Sequence, residues 1–404
     1  VGVATGPFLA MRAVNMLCLF MGWLVLHAAA APPPLTPATT VSEYLGELNI
    51  TLENHYVTTK DGYILHLHRM LNPGKPVVFL QHGILASSWC WLINEPELAP
   101  AVVLFRAGYD VWLGNSRGNR YSTNHTTLDP KSKAFWNFTF DEMALYDVPA
   151  VVKYVSAHPT TKKGKFPYVG WSQATTAFMA ATMDTDIGEY LSHHVRLFIA
   201  LSPVSYLTHS GSVLINVLGK FKLSKLLLDL FPYGILDGSE AEDKFEEFLC
   251  KVSLGELCKI GVDSVCGDVP TDSRVQIERL TTHFPAGTSV KDFNQYEQFL
   301  EASPPFFGYY SYGEKGNLEH YGTKTAPIYN VTNYNRKIPI AFFRGDSDLL
   351  VEAKDFERLR DVFPSSAVVF ERVYADMSHV SWYVGEEKVA KTYLTDLLNL
   401  VEKY

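Results

Sequence analysis

The chain has no surplus of positive charge. Its 404 residues carry 35 Lys and Arg against 43 Asp and Glu, a formal net charge of −8, with no basic block. Proteins that grip nucleic acid neutralise phosphates with such blocks, so no nucleic-acid partner is expected. Long apolar runs are scarce as well. The best candidate, from Val14 to Leu26, is shorter than the roughly 20 residues that cross a bilayer, so no transmembrane helix is expected in the mature chain. No repeat period is visible, which removes repeat architectures. Cysteines number five, and the run Cys250, Cys258, Cys266 has seven residues in each gap. It lacks the paired short spacings of a zinc site, so no metal is expected; no cofactor is expected either. The four cysteines beyond Cys18 allow three pairings, which spacing alone does not separate.

What is present is a globular composition, 47% hydrophobic and 19% charged, long enough for a large core and an inserted second unit. Met11-Arg12, the apolar stretch and the small residues Ala28 to Ala31 read as a secretory signal over 11–31. A retained signal-anchor is the alternative. Residues 1–10 precede a candidate initiator Met11 and read as upstream translated sequence. Passage through the secretory pathway, to the cell exterior or the lysosome, agrees with four N-x-[ST] acceptors at Asn49, Asn124, Asn137 and Asn330. Asn137 lies among Phe135, Trp136 and Phe138, which suggests a buried and unmodified side chain.

Strand-like runs alternate with helix-like segments, the mark of an α/β fold with a mostly parallel sheet. Tyr63 to His68 reads as an early antiparallel strand; Pro76 to Gln81, Asp110 to Leu113, Phe166 to Val169 and Val195 to Leu201 read as buried strands. Asp147 is placed to N-cap a helix that carries Pro149 in its first turn. From 205 to 330 helix-like segments and tyrosine-rich loops replace the alternation. Strands then return at Ile338 to Phe343 and Ala367 to Phe370, before a last helix over Glu386 to Val401. The expected organisation is a core over 32–204 and 331–404, interrupted by a helical cap over 205–330. Two apolar stretches of that cap, Val213 to Leu218 and Leu226 to Phe231, suggest either a lid that opens onto lipid or ordinary helix packing.

Within this frame, Gly170-Trp171-Ser172-Gln173-Ala174 joins a strand to a helix. That is the setting of a nucleophile elbow, whose sharp turn lifts the serine hydroxyl clear of the sheet. A serine needs a base to take its proton and an acid to orient that base, in chain order Ser, Asp or Glu, His. His379 is the sole histidine after Glu352, and so the base candidate. Asp348 follows the strand ending at Phe343 and is favoured as the acid over Asp346, which reads as a turn former. The oxyanion hole would be the backbone amides of Ile84, in Leu80-Gln81-His82-Gly83-Ile84-Leu85, and of Gln173. His82 precedes the serine and reads as a support for that loop. His283 reads as structural or site-lining.

These residues and their order resemble the acid lipases of the gastric and lysosomal type and their insect relatives, members of the α/β-hydrolase superfamily. The likeness runs from about Leu48 to Val401. It rests on Val57-Thr58-Thr59-Lys60-Asp61-Gly62-Tyr63, Gln81 to Leu85, Gly108-Tyr109-Asp110-Val111-Trp112-Leu113-Gly114-Asn115-Ser116-Arg117-Gly118-Asn119, Phe140-Asp141-Glu142-Met143, His283 to Ser289, and Gly345 to Leu350. The resemblance implies an eight-stranded α/β-hydrolase sheet flanked by helices, with a cap and lid over the serine. It implies an enzyme that hydrolyses neutral-lipid esters at a lipid–water interface, with Ser172, Asp348 and His379 as nucleophile, acid and base; the oligomeric state is not fixed by the sequence, with a monomer or dimer expected. It also implies a Cys250–Cys258 disulfide with Cys266 free. The family elbow usually reads Gly-His-Ser-Gln-Gly, so Trp171 and Ala174 depart from it. So does Ser378-His379-Val380-Ser381-Trp382, where the family usually has Asn-His-Leu-Asp-Phe. The departures leave a second reading open, a catalytically weak relative that binds or stores lipid.

Overall fold

A computed structural model describes residues 39–212, 234–235, 263 and 265–404. The expected leader, the two apolar stretches of the insertion, and Cys250 and Cys258 lie outside the described residues. Cys90 and Cys266 are buried free thiols.

Eleven strands occur among the described residues. They are β1 (Leu52–Thr58), β2 (Tyr63–Met70), β3 (Val77–Gln81), β4 (Asp110–Gly114), β5 (Asn124–His125), β6 (Phe166–Trp171), β7 (Val195–Leu201), β8 (Gly234–Ile235), β9 (Thr288–Ser289), β10 (Ile340–Gly345) and β11 (Val368–Tyr374). The main sheet runs β1-β2-β4-β3-β6-β7-β10-β11, with the two-residue β5 beside β2. β2 pairs antiparallel with both β1 and β4, and from β4 to β11 every pairing is parallel. The expected mostly parallel, eight-stranded sheet is present, with β5 added beside the first residues of β2.

Parallel strands with helices on both faces bury nearly every side chain, which explains why these runs read as continuous apolar segments. Val78 and Leu80 of β3, Val169 of β6 and Ile199 of β7 point to one face, beneath Val102, Leu104, Leu394 and Leu397. Val77, Phe79, Tyr168 and Phe198 point to the other, against Val152, Val155, Phe178 and Leu359. Each such side chain, once fully buried, stabilises the fold by roughly 1.5–3 kcal/mol.

Local outcomes differ from expectation at a few points. The strand expected from Ile338 begins at Ile340 and runs on to Gly345, carrying the chain two residues closer to Asp348. Asp147 makes no cap, because its own backbone is already helical at φ −72°, ψ −52°. Its carboxylate instead accepts from Arg117 at 2.5 Å, and Arg117 also donates to Asp61 at 2.6 Å. Arg117 is fully enclosed, 4.0 Å above the Tyr63 ring. Asn137 is exposed although Phe135, Trp136 and Phe138 around it are buried; Asn49, Asn124 and Asn330 are exposed too. Of 205–330, the described part holds helices at Arg274–Thr281, Val290–Leu300 and Gly313–Tyr321, and the small β8–β9 pair.

Candidate active site

The carboxyl ends of β3, β6, β10 and β11 lie on one edge of the sheet, where open α/β folds place their ligands. Each contributes a residue singled out in the sequence. Ser172 follows β6 directly and takes φ 54°, ψ −121° before the helix Gln173–Met183 begins. A non-glycine residue held there is strained, and its surroundings must enforce it. The Ser172 amide donates to Leu201 of β7 at 3.0 Å, which keeps the turn sharp.

Ala174 stands where the resemblance expects glycine. A methyl built on Gly170 would come within 3.3 Å of the Ala174 Cβ. The helix and strand therefore approach with one methyl between them, and Gly170 leaves the room that Ala174 fills.

Ser172 Oγ lies 2.9 Å from His379 Nε2. The opposite ring nitrogen, Nδ1, lies 2.9 and 3.0 Å from the two Asp348 oxygens. All three residues are buried. With Nδ1–H donating to the carboxylate, Nε2 is left as an acceptor for the serine hydroxyl. Asp348 Oδ1 also accepts from the Leu350 and Val351 amides, each at 2.9 Å. Burial pushes this carboxyl up, but His379 and the donors around it outweigh burial and hold it below its ordinary value. A carboxylate so held stays ionised and keeps the imidazole oriented.

The Gly83–Ile84 turn after β3 presses against the serine. A Cβ on Gly83 would sit 2.8 Å from Ser172 Cβ and 2.8 Å from the Trp171 ring, so only glycine fits. The neighbouring Leu85 carbonyl accepts from Ala286 at 2.6 Å, which fastens the turn to the Phe284 to Gly287 stretch. Gln173 is the first helical residue after the elbow, and its amide has no carbonyl four residues back within the helix. Its side chain donates to Asp292 at 2.5 Å.

His82 supports the turn and is not part of the serine–imidazole chain. Its Nε2 accepts from the Ser116 amide at 3.0 Å and its Nδ1 donates to the Gly83 carbonyl at 2.7 Å. Burial pushes this ring down to about 4. His283 stacks on Trp89 at 4.0 Å and lies nearly parallel to it. Asp346 is exposed and accepts from Ser347, as expected for a turn former.

Several contacts had no signal in the sequence. Trp171 Nε1 donates to the His379 carbonyl at 3.0 Å. The Cys266 carbonyl accepts from the His379 amide at 3.0 Å and from the Leu349 amide at 3.4 Å, bridging the loops that carry His379 and Asp348. These join residues far apart in the chain, so no local spacing announces them.

Residues 41–95 match the family model of a partial alpha/beta-hydrolase lipase region, and residues 76–224 match that of the alpha/beta hydrolase fold. Human lipase member K is 32% identical over 380 residues, covering 90% of this chain and 91% of its own. Human gastric triacylglycerol lipase is 32% identical over 385 residues, covering 92% and 93%. Caenorhabditis elegans lipase lipl-1 is 34% identical over 352 residues, covering 81% and 83%. Among solved structures, a soluble variant of monoglyceride lipase from Saccharomyces cerevisiae aligns with a TM-score of 0.52 at 15% identity, over 92% of this chain and 99% of that one, a likeness of fold. Likeness of this extent to the curated lipases makes the chain a member of the acid lipase family of α/β-hydrolases, and so a carboxylic ester hydrolase.

Proposed function

We propose that this enzyme hydrolyses neutral-lipid esters, triacylglycerols first and cholesteryl esters as further candidates, with Ser172 as nucleophile, His379 as base and Asp348 as the orienting acid. The observation that carries this reading is the unbroken hydrogen-bonded chain from Ser172 Oγ through both His379 nitrogens to Asp348. His379 Nε2 takes the hydroxyl proton as Oγ attacks the ester carbonyl. The amides of Ile84 and Gln173 receive the oxyanion, and loss of one such donor typically costs about 3–4 kcal/mol. His379 then returns the proton to the departing alcohol, which leaves an acyl-serine that water hydrolyses by the same steps. Asp348 stabilises the imidazolium formed at each stage.

The 205–330 insertion is read as the cap over this site. Its Ala286 and Cys266 backbone groups meet the turn after β3 and the loops after β10 and β11. The gastric triacylglycerol lipase relatives favour lipid esters as substrates and a route through the secretory pathway. No helix among the described residues is long and apolar enough to cross a membrane.

An active-site fluorophosphonate tests the reading. It should label the folded protein at Ser172 and leave Ser172→Ala unlabelled. Turnover across triacylglycerols, cholesteryl esters and short soluble esters, at acidic and neutral pH, then ranks the substrates. Absence of labelling in folded protein would favour a lipid-binding relative without turnover.

A further inference from the structure

The loop that carries His379 leaves β11 at Tyr374 and meets no regular structure until the short helix Ser381–Val384. A loop of this kind holds an imidazole to within a fraction of an ångström only if something outside it fixes the backbone. Here the two serines that bracket the histidine, Ser378 and Ser381, are fully buried and turn to one carboxylate. Ser378 Oγ donates to Asp272 Oδ2 at 2.6 Å, and Ser381 Oγ donates to Asp272 Oδ1 at 2.5 Å.

We infer that Asp272 is a positioning residue for His379, acting through Ser378 and Ser381. The inference rests on the reading of Ser172 and His379 given above and extends it into the 205–330 segment. A carboxylate only accepts, so each hydroxyl must spend its single proton on it, and both serine oxygens are then free to accept. They do so from the loop itself: Ser381 Oγ accepts from the Ser378 amide at 2.7 Å, and Ser378 Oγ from the Val380 amide at 3.3 Å. Hydrogen bonds to an ionised acceptor are shorter and roughly twice as strong as neutral ones. The backbone beside Asp272 holds the rest of the loop. Ser273 N–H donates to Val384 at 2.8 Å, Glu386 N–H donates to Thr271 at 2.7 Å, and the Thr271 hydroxyl donates to the Asp376 carbonyl. His379 is thus framed on both sides by bonds that end on residues 271–273.

The resemblance drawn from the sequence places an acid two residues after the histidine, where this chain has Ser381. Asp272 brings a carboxylate to that same residue from another segment.

The experiment uses the full chain with wild type, Asp272→Asn, Ser378→Ala and the double variant D272N/S381D. Active sites are titrated with the fluorophosphonate, so that kcat refers to folded, competent enzyme, and a soluble short-chain ester avoids interfacial effects. Asp272→Asn should lower kcat about 10- to 100-fold with KM within about 2-fold, the signature of a misplaced group and not of lost substrate binding. Ser378→Ala, the milder change, should lower kcat in the same sense. Returning a carboxylate at residue 381 in the double variant should recover most of the loss. Titrated kcat values in Asp272→Asn and Ser378→Ala that match wild type overturn the proposal, even where melting temperature falls. So does a folded double variant no better than Asp272→Asn. A wild type that takes no label overturns the reading of Ser172 instead, and this inference with it.

Discussion

Trp171 Nε1 donates to the backbone carbonyl of His379 at 3.0 Å, so the residue before Ser172 holds the residue whose ring Ser172 touches. The indole is buried and meets Tyr383 edge-on at 4.7 Å, which fixes its plane. The tryptophan that departs from the usual family elbow is a strut between the elbow and the loop that carries His379. Trp171→Phe keeps an aromatic ring, though a smaller one, and removes the donor. A buried carbonyl left without a partner costs about 1–3 kcal/mol. Calorimetry should show a lower melting temperature, and titrated kcat should fall about 3- to 10-fold as His379 loosens.

Gly83 is tested by a single methyl. In Gly83→Ala the new Cβ would fall 2.8 Å from Ser172 Cβ and as close to the Trp171 ring, inside any real contact distance. The turn must retreat, and the Ile84 amide with it. Hydrolysis of a soluble ester should fall about 100- to 1,000-fold, the usual consequence of losing one oxyanion donor. Fluorophosphonate labelling should slow in step. An unchanged rate would remove Ile84 from the oxyanion hole.

Asp292 gives the fold a pH dependence of definite sign. Burial pushes its carboxyl up to about 7, despite donation from Gln173 at 2.5 Å and Thr288 at 2.9 Å. In the unfolded chain it titrates near 3.8. Between these values the folded state holds a proton that the unfolded state has released. Its contribution is therefore complete below about pH 4 and is lost as pH rises through about 7. About three pH units at ~1.4 kcal/mol each set a ceiling of ~4 kcal/mol. Urea titrations from pH 4 to pH 8 should show wild type losing stability relative to Asp292→Asn as pH rises, because asparagine does not titrate. Parallel curves would assign the dependence elsewhere. Buried histidines oppose this trend: burial lowers His68 and His283 to about 3, so their contribution is lost as pH falls below about 6.5.

Asn137 is exposed on a segment whose aromatic neighbours point inward, and the other three acceptors are exposed as well. Protein made in a secretory host should lose four glycans on enzymatic deglycosylation. Asn137→Gln should remove one of the four mobility steps. Three steps in wild type would show that Asn137 is passed over.

The elbow and the core strands were legible because each is a local pattern. Gly170 to Ala174 sits between an apolar strand and a helix, and the parallel strands are buried on both faces, so both features appear within a few residues of sequence. Asp147 was misjudged as a cap because residue type and position matched, while its buried partner Arg117 lies thirty residues away. Asn137 was misjudged because it lies in an irregular segment just past a turn, where Phe135, Trp136 and Phe138 are buried while the residue among them faces outward.

By itself the sequence determined the fold class and singled out the few residues on which the proposed ester hydrolysis rests. Strand, turn and helix are set by neighbouring side chains and need nothing distant. The tertiary structure alone decided how those residues are held. The Trp171–His379 bond spans 208 positions, and the Cys266 carbonyl and Asp272 carboxylate reach the same loop from another segment. Hydrogen bonds depend on distance and direction in space, and chain spacing carries neither once the polypeptide has crossed the sheet and returned.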